Sequence, residues 1–343
     1  MPALLVCQAG EGIGLGHLSR CLVVASALHA RLGAGANLLI QGEPLSHREL
    51  SRFTHKFIAA TTALGQAVIE AVTVGRPWLV LLDLHPNQVP LDLPQILEVL
   101  RKAGCRIVSI DGLLQYRDRL DLVFLPSIRL DKRLAKGPGA QVVSGLDCIL
   151  VPDGRRGGVW APGCNVLVLT GGSDVVGLGG WWPQLLDREL PVQTELHWVR
   201  GPYAGAPQLP SPCRLTWRLH NAPSDLQLLM ASMNYAVTIF GVSFFELLKM
   251  GVPTVVFSPY GKKDDLDLRL IERDGLALIA QDEGDAITKL TRLITDRRLA
   301  SDLAARAAEA LAESGGARLI GLVSHWYKEA SRKNHQADTM SRP

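Results

Sequence analysis

Short apolar runs, separated by longer stretches of helical periodicity, constrain this chain more than any other feature. They fall at residues 3–7, 36–40, 79–82, 106–110 and 122–125, and again at 166–170, 194–199, 235–239 and 254–257. Most are rich in Val, Leu and Ile and do not alternate with polar residues, as expected of strands covered on both faces in a parallel sheet. Between them, residues 18–32, 93–102, 226–231 and 244–249 carry helical patterns. A strand–helix repeat of this kind predicts an α/β fold.

Residues 151–163 (VPDGRRGGVWAPG) break the repeat with Gly, Pro and charge, and immediately afterwards a new strand, NVLVLT, runs into a second glycine turn. At about 150 residues per domain, 343 residues suit two domains. The expected division is an N-terminal Rossmann-like domain over 1–150, a linker over 151–163 and a second Rossmann-like domain over 164–312. A good helix former over 299–312 is followed by Gly315-Gly316, which reads as an interruption. A last helix over 313–330 then packs back on the first domain, and a polar tail over 331–343 is expected to be flexible.

Composition excludes several classes of function. With 47% hydrophobic residues the chain is not disordered, and a net charge of +3 is too small to point to nucleic acid or a membrane surface. No apolar run approaches the roughly 18 residues of a spanning helix, and the short, uncharged start reads as a first strand, not as a signal peptide. Cys7, Cys21, Cys105, Cys148, Cys164 and Cys213 form no CxxC and read as buried thiols in a reducing compartment, so the expected location is cytoplasmic. The nine histidines show no metal-ligand spacing, and no metal or cofactor is expected. No G-x-S-x-G elbow is present, which speaks against a serine hydrolase.

The first strand leads into Gly10-Glu11-Gly12-Ile13-Gly14-Leu15-Gly16-His17-Leu18-Ser19-Arg20. Glycines permit a sharp turn and close approach of a ligand, and the following helix offers unpaired N–H groups to an anion. The spacing is neither G-x-G-x-x-G nor a Walker A loop, since His17 stands where the latter needs Lys, and the next strand ends in Gln41-Gly42-Glu43 without the expected ribose acid in place. An imidazole at the mouth of the turn suits a general base, with Arg20 one turn on to order a phosphate. The competing reading makes His17 a helix cap and Arg20 a solvated residue.

The pattern Gly14-x-Gly16-His17-x-x-Arg20-Cys21-Leu22-x-x-Ala25 resembles the opening motif of the UDP-2,4-diacetamido-2,4,6-trideoxy-β-L-altropyranose hydrolases of pseudaminic acid biosynthesis. That family sits within a wider group of two-domain nucleotide-sugar enzymes of the GT-B fold, which includes glycosyltransferases. The resemblance continues through RIVSIDG, LDLVFLPS, GLDCILVPDG and LTGGSD to the long stretch from Asn221 to Phe257. It implies two Rossmann-like domains facing each other across a cleft, with His17 as catalytic base and Gly14, Gly16 and Arg20 toward the sugar. Asp83 and His85 join this set as polar groups at the carboxyl end of a buried strand, with a plain loop role as the alternative for His85. An NDP-sugar, UDP-linked, is the implied partner.

In the second half, Thr170-Gly171-Gly172-Ser173-Asp174 suits a turn that presents N–H groups and a hydroxyl to a phosphate, or a simple helix entry with Ser173 or Asp174 as cap. Gly241-Val242-Ser243-Phe244-Phe245-Glu246 precedes a short apolar helix, and Ser243 with Glu246 has the spacing of a capping box. The resemblance instead turns this helix start toward the diphosphate and gives Glu246 to the ribose. Gly171, Gly172, Ser173, Gly241, Val242, Ser243 and Glu246 are therefore the expected nucleotide-binding set. Trp181-Trp182 could stack on a sugar, but such a pair at a helix start more commonly packs.

The chain departs from the hydrolase pattern at three places. It has Ile110-Asp111-Gly112 where an acidic pair is typical, and Asp83-Leu84-His85-Pro86 where Asp precedes a hydroxylated aromatic. Pro259–Asp265 stands in place of an Asn-Gln loop. The expected function is hydrolysis of an NDP-sugar by water attack at the anomeric carbon with release of the nucleoside diphosphate. Glycosyl transfer to an acceptor and non-catalytic binding of a nucleotide sugar are the alternatives. Transfer to a membrane-bound acceptor would suit an apolar or basic patch, for which residues 48–56 (RELSRFTHK) are only mildly basic.

Overall fold

A computed structural model describes residues 2–45, 47–129, 137–153, 159–223, 225–312 and 314–340, and side chains as far as 333. Part of the expected linker, residues 154–158, lies outside the described residues, as do Ser224 and the last three of the chain. The chain forms two compact units, 1–150 with 313–343, and 151–312.

The first unit runs β1 (Ala3–Gln8), α1 (Gly16–Leu32), β2 (Ala36–Gln41), β3 (Thr54–Ile58), α2 (Leu64–Gly75), β4 (Leu79–Asp83), α3 (Leu93–Lys102), β5 (Arg106–Ile110), β6 (Leu122–Leu125) and β7 (Gln141–Ser144). All pairings are parallel, in the order β3-β2-β1-β4-β5-β6-β7. Successive strand residues face opposite sides, so Leu5 and Cys7 of β1 join Leu18, Val24 and Leu28 of α1 in one core. Leu4 and Val6 join Val80, Leu82, Leu97 and Leu100 in the other. Two covered faces explain the unbroken apolar runs. Each such buried Leu or Val is worth roughly 1.5–3 kcal/mol.

The C-terminal helix, Gly315–Met340, closes the first core with Leu319, Ile320 and Val323. Gly315-Gly316 opens this helix instead of interrupting it. A Cβ on Gly316 would stand 3.2 Å from Val23 Cγ1 and 3.3 Å from Ala27 Cβ, so its lack of a side chain lets the helix approach α1. The helix runs past Ala330 to Met340, beyond where the polar sequence suggests an end.

The second unit runs β8 (Asn165–Leu169), α4 (Trp182–Glu189), β9 (Glu195–Arg200), β10 (Thr216–Asn221), α5 (Leu226–Ala231), β11 (Tyr235–Ile239), α6 (Val242–Lys249), β12 (Thr254–Phe257), α7 (Asp265–Arg273), β13 (Leu278–Ile279), α8 (Glu283–Thr295) and α9 (Arg297–Ala310). Its parallel sheet has the order β10-β9-β8-β11-β12-β13. Val166, Val168, Trp182 and Trp198 fill one face, and Leu167, Leu169, Met230 and Leu247 the other. Trp182 is fully buried, edge-on to Phe257 at 5.6 Å, whereas Trp181 is exposed.

Both units are therefore doubly wound, and each sheet reverses its strand order beside its first strand, between β1 and β4 and between β8 and β11. Ligands of open α/β sheets bind outside the carboxyl ends of the strands at such reversals. The cysteine expectation needs one correction. Cys7, Cys21, Cys105 and Cys148 are buried, but Cys164 and Cys213 are exposed because they lie in surface connections ahead of β8 and β10. Among the described residues no helix is long and apolar enough to cross a membrane.

Candidate functional site

At the reversal of the first sheet, the glycine turn after β1 folds on itself. Gly14 donates its N–H to Gly10 O at 2.8 Å and accepts from Gly10 N at 3.3 Å, with positive φ at Gly12 (76°) and Gly14 (77°). Those values sit where only glycine is comfortable. Gly14 thus spends its N–H inside the turn, while Gly16 is the first residue of α1.

The turn delivers His17 to the end of β4. His17 Nδ1 lies 2.7 Å from Asp83 Oδ1, and no side chain caps α1, so His17 is not a helix cap. Arg20 Nε donates to Asp83 Oδ2 at 2.8 Å and its Nη2 to Oδ1 at 2.7 Å. The same Nη2 stands 2.9 Å from His17 Nδ1 and 3.3 Å from Asp111 Oδ2. Arg20 is thus a nearly buried partner of two carboxylates and not a solvated residue.

Burial by itself pushes the fully buried Asp83 carboxyl up. The Arg20 charge, its hydrogen bonds and then His17 reverse this and hold the group below the usual carboxylate range. Burial likewise opposes the Arg20 charge, but Asp83 and Asp111 raise its pKa above the ordinary arginine value. An ionised carboxylate only accepts hydrogen bonds, so the 2.7 Å contact places the imidazole proton on Nδ1. In the neutral imidazole Nε2 then carries the lone pair, and it has no hydrogen-bond partner among the described residues. That is the tautomer a general base needs.

Asp83, expected against the sugar, instead has both oxygens engaged by His17 and Arg20. His85 is half-buried and edge-on to His17, with ring centroids 5.8 Å apart. Its Nδ1 accepts from Asn87 N at 3.3 Å and its own N–H donates to Gln8 Oε1 at 2.8 Å. Gln8, fully buried at the end of β1, also donates to Gln41 Oε1 and Gln88 O, and so ties together the loops after β2 and β4. Sequence reading overlooked Gln8. The signal is a lone polar residue closing the apolar run ALLVC.

At the reversal of the second sheet, residues 170–174 form a turn that does not enter a helix directly, since α4 begins only at Trp182. Asp174 accepts from Leu178 N at 3.0 Å and Gly179 N at 2.8 Å, so it braces the turn. Gly172 O accepts from Tyr203 N, and a Cβ on Gly201 would fall 2.4 Å from Gly172 O, which packs the two loops backbone to backbone. Ser173 Oγ is buried without a hydrogen-bond partner among the described residues. The N–H groups of Gly172 and Ser173 likewise make no hydrogen bond among those residues.

Gly171 lies against Ile239 at the end of β11, next to the start of α6. That helix begins at Val242 with Gly241 as N-cap and no side-chain cap. Ser243 is therefore inside the helix, and the capping box is not formed. Glu246, half-buried one turn in, makes no hydrogen bond or ion pair among the described residues, and burial pushes its carboxyl up to about 7. Two N–H groups, a hydroxyl and an uncapped helix end gathered beside one strand end can receive an anion. Among the described residues no group of three or more His, Cys, Asp and Glu could hold a metal ion.

No protein-family model matches the chain, and no curated protein sequence matches it. Solved structures do resemble it. MnaA of S. aureus in complex with UDP superimposes with a TM-score of 0.63 at 12% identity, over 96% of this chain and 97% of that one. The glycosyltransferase SnogD from Streptomyces nogalater gives 0.60 at 15% identity, over 94% and 99%. The spinosyn rhamnosyltransferase SpnG with thymidine diphosphate gives 0.56 at 16%, over 94% and 100%. At such identities the likeness shows the fold, which is that of the GT-B nucleotide-sugar enzymes.

Proposed function

We propose that this chain is a glycosyltransferase that uses a nucleoside-diphosphate sugar as donor. The observation that carries the reading is the His17–Asp83 pair, which leaves an imidazole Nε2 lone pair at the reversal of the first sheet. Its support comes from the uncapped α6 start with the unpartnered Ser173 and Glu246 in the second unit. The resemblance of fold to glycosyltransferases, one carrying thymidine diphosphate, and to a UDP complex points the same way.

In this reading His17 Nε2 takes the proton of an acceptor hydroxyl as its oxygen attacks the anomeric carbon. The bond from that carbon to the diphosphate oxygen breaks, its electron pair leaves with the nucleoside diphosphate, and the proton remains on the imidazole. Positioned general-base assistance contributes roughly a hundred- to ten-thousand-fold. The N–H groups of Gly172, Ser173 and the α6 start, with the Ser173 hydroxyl, hold the departing diphosphate, and Glu246 accepts from ribose hydroxyls. Each helix-end contact is worth only about 0.3–1 kcal/mol, so several act together.

Hydrolysis is the second reading, with water in place of the acceptor. It is favoured by the Gly14-x-Gly16-His17-x-x-Arg20 motif, which resembles the pseudaminic acid pathway hydrolases. The residues and proton transfer are the same. Incubation with UDP-, dTDP-, GDP- and CMP-sugars, with and without hydroxyl acceptors, separates the two. Release of nucleotide only with an acceptor supports transfer, and release without one supports hydrolysis. Binding with no release under either condition overturns both.

A further inference from the structure

We propose that Arg20 is a positioning residue for the His17 base: its guanidinium fork, tethered by Asp111, holds the Asp83 carboxylate in the plane that fixes the His17 tautomer. The inference rests on the reading of His17 as a base and extends it to a residue that sequence alone would place on a phosphate.

A carboxylate with a single partner can rotate about its own bond and present either oxygen. Asp83 cannot, because Nε grips Oδ2 at 2.8 Å while Nη2 grips Oδ1 at 2.7 Å. Two parallel charge-assisted bonds of this kind set geometry as well as energy. Oδ1 is thereby held toward His17 Nδ1 at 2.7 Å, and the Nδ1–H form follows. On its outer side the guanidinium meets Asp111 Oδ2 at 3.3 Å. Asp111 sits just past β5 with φ of +60°, a strained value for a residue other than glycine that the loop retains. With its Nε and Nη2 committed and its side chain only 11% exposed, Arg20 faces carboxylates, not a ligand anion.

The fork also balances charge. Asp83 and Arg20 cancel, and the 2.9 Å approach of Nη2 to Nδ1 sets a cation beside the ring. Without Arg20 the Asp83 charge would stand uncancelled beside the ring. The titratable groups around the pair are His85 after β4, Asp111 after β5, and the Cys7 and Cys21 thiols behind Arg20. Among the described residues, the hydrogen-bond contacts of His17 Nδ1 are with Asp83 and Arg20 and with none of these four.

Two variants separate fork from charge. Arg20→Lys keeps the cation and loses the fork, so kcat for nucleotide release is expected to fall about ten-fold or more while KM stays within about two-fold. The Nδ1–H fraction of His17, read by 15N NMR of the imidazole, falls with it. Arg20→Gln removes the charge, and the acid limb of the kcat/KM profile is expected to move up by about one pH unit. Unchanged kcat and an unchanged tautomer in Arg20→Lys would overturn the proposal, as would an unmoved acid limb in a folded Arg20→Gln. If Arg20→Gln does not fold, the lysine variant decides. Should the wild-type protein release nucleotide from no donor, the functional reading fails, yet the NMR measurement still judges the role of Arg20.

Discussion

Asp83, the last residue of β4, and Glu246, one turn into the helix that follows β11, both lie near the reversal of their own sheet, yet their surroundings are opposite. Asp83 has both oxygens matched by Arg20 and His17 and is held below the usual carboxylate range. Glu246 has no partner among the described residues, and burial pushes it up to about 7. The first unit completes its polar cluster from its own residues, as a preorganised base requires. The second presents polar groups that its fold does not use, as a surface for an outside ligand does. In the proposed reading, that contrast corresponds to chemistry in one unit and recognition in the other.

The largest test of that contrast is Asp83→Asn. Among the described residues it leaves the buried Arg20 with the partly exposed Asp111 alone for a counter-charge, and breaking a buried pair on one side costs about 3–5 kcal/mol. Because the folded Asp83 sits below its unfolded value, its contribution is present above about pH 4 and is lost as pH falls through the folded value. Urea unfolding should show the full loss at pH 7 and a shrinking one in acid. A loss that does not depend on pH would break the comparison. Next in size is His17→Asn, which keeps polarity and shape but removes the base. Turnover is expected to fall by about a hundred-fold or more, with nucleotide affinity within a few-fold. Unchanged turnover with lower thermal stability would make His17 structural.

Glu246→Gln should act in the opposite direction to Asp83→Asn. A raised folded value means that the stability tied to the protonated form is whole below the ordinary value of 4.5 and is lost as pH rises through about 7. Removing the carboxylate should therefore stabilise the protein by about 3 kcal/mol at pH 8 and leave it nearly unchanged near pH 4.5. Nucleotide affinity should drop at the same time. Stabilisation at pH 8 without loss of affinity would remove Glu246 from the recognition surface and leave it as a buried liability.

Which parts of this arrangement the sequence discloses follows from burial. The nine strands anticipated from apolar runs include every inner strand of both sheets. The strands not anticipated are β3, β7, β10 and β13, the four edges. Thr54–Ile58 and Thr216–Asn221 are largely exposed, so Thr, His, Lys and Arg replace the continuous Val and Leu that betray a doubly covered strand. The site was legible in the same partial way. His17 and the glycine turns stand out because their residue types are chemically unusual at a strand end. The pairing of His17 and Arg20 with Asp83 spans more than sixty positions and depends on β1 and β4 being neighbours, which no local pattern encodes. Glu246 has the spacing of a capping box, and only the helix start at Val242 removes that alternative.

The smallest effect expected is at Ser173. Its hydroxyl is buried with no hydrogen-bond partner among the described residues, in the turn whose neighbouring N–H groups are also unused. An unsatisfied buried hydroxyl costs about 1–3 kcal/mol, so Ser173→Ala should leave the unliganded protein as stable as the wild type or slightly more so. If the turn receives a diphosphate, the same substitution removes one hydrogen bond of about 0.5–1.5 kcal/mol, a loss of roughly three- to ten-fold in nucleotide affinity. Calorimetric titration with UDP and with dTDP, beside thermal unfolding of the free variant, reads both quantities. Lower stability with unchanged affinity would show that the hydroxyl serves the fold, and the second unit would then resemble the first in using its polar groups for itself.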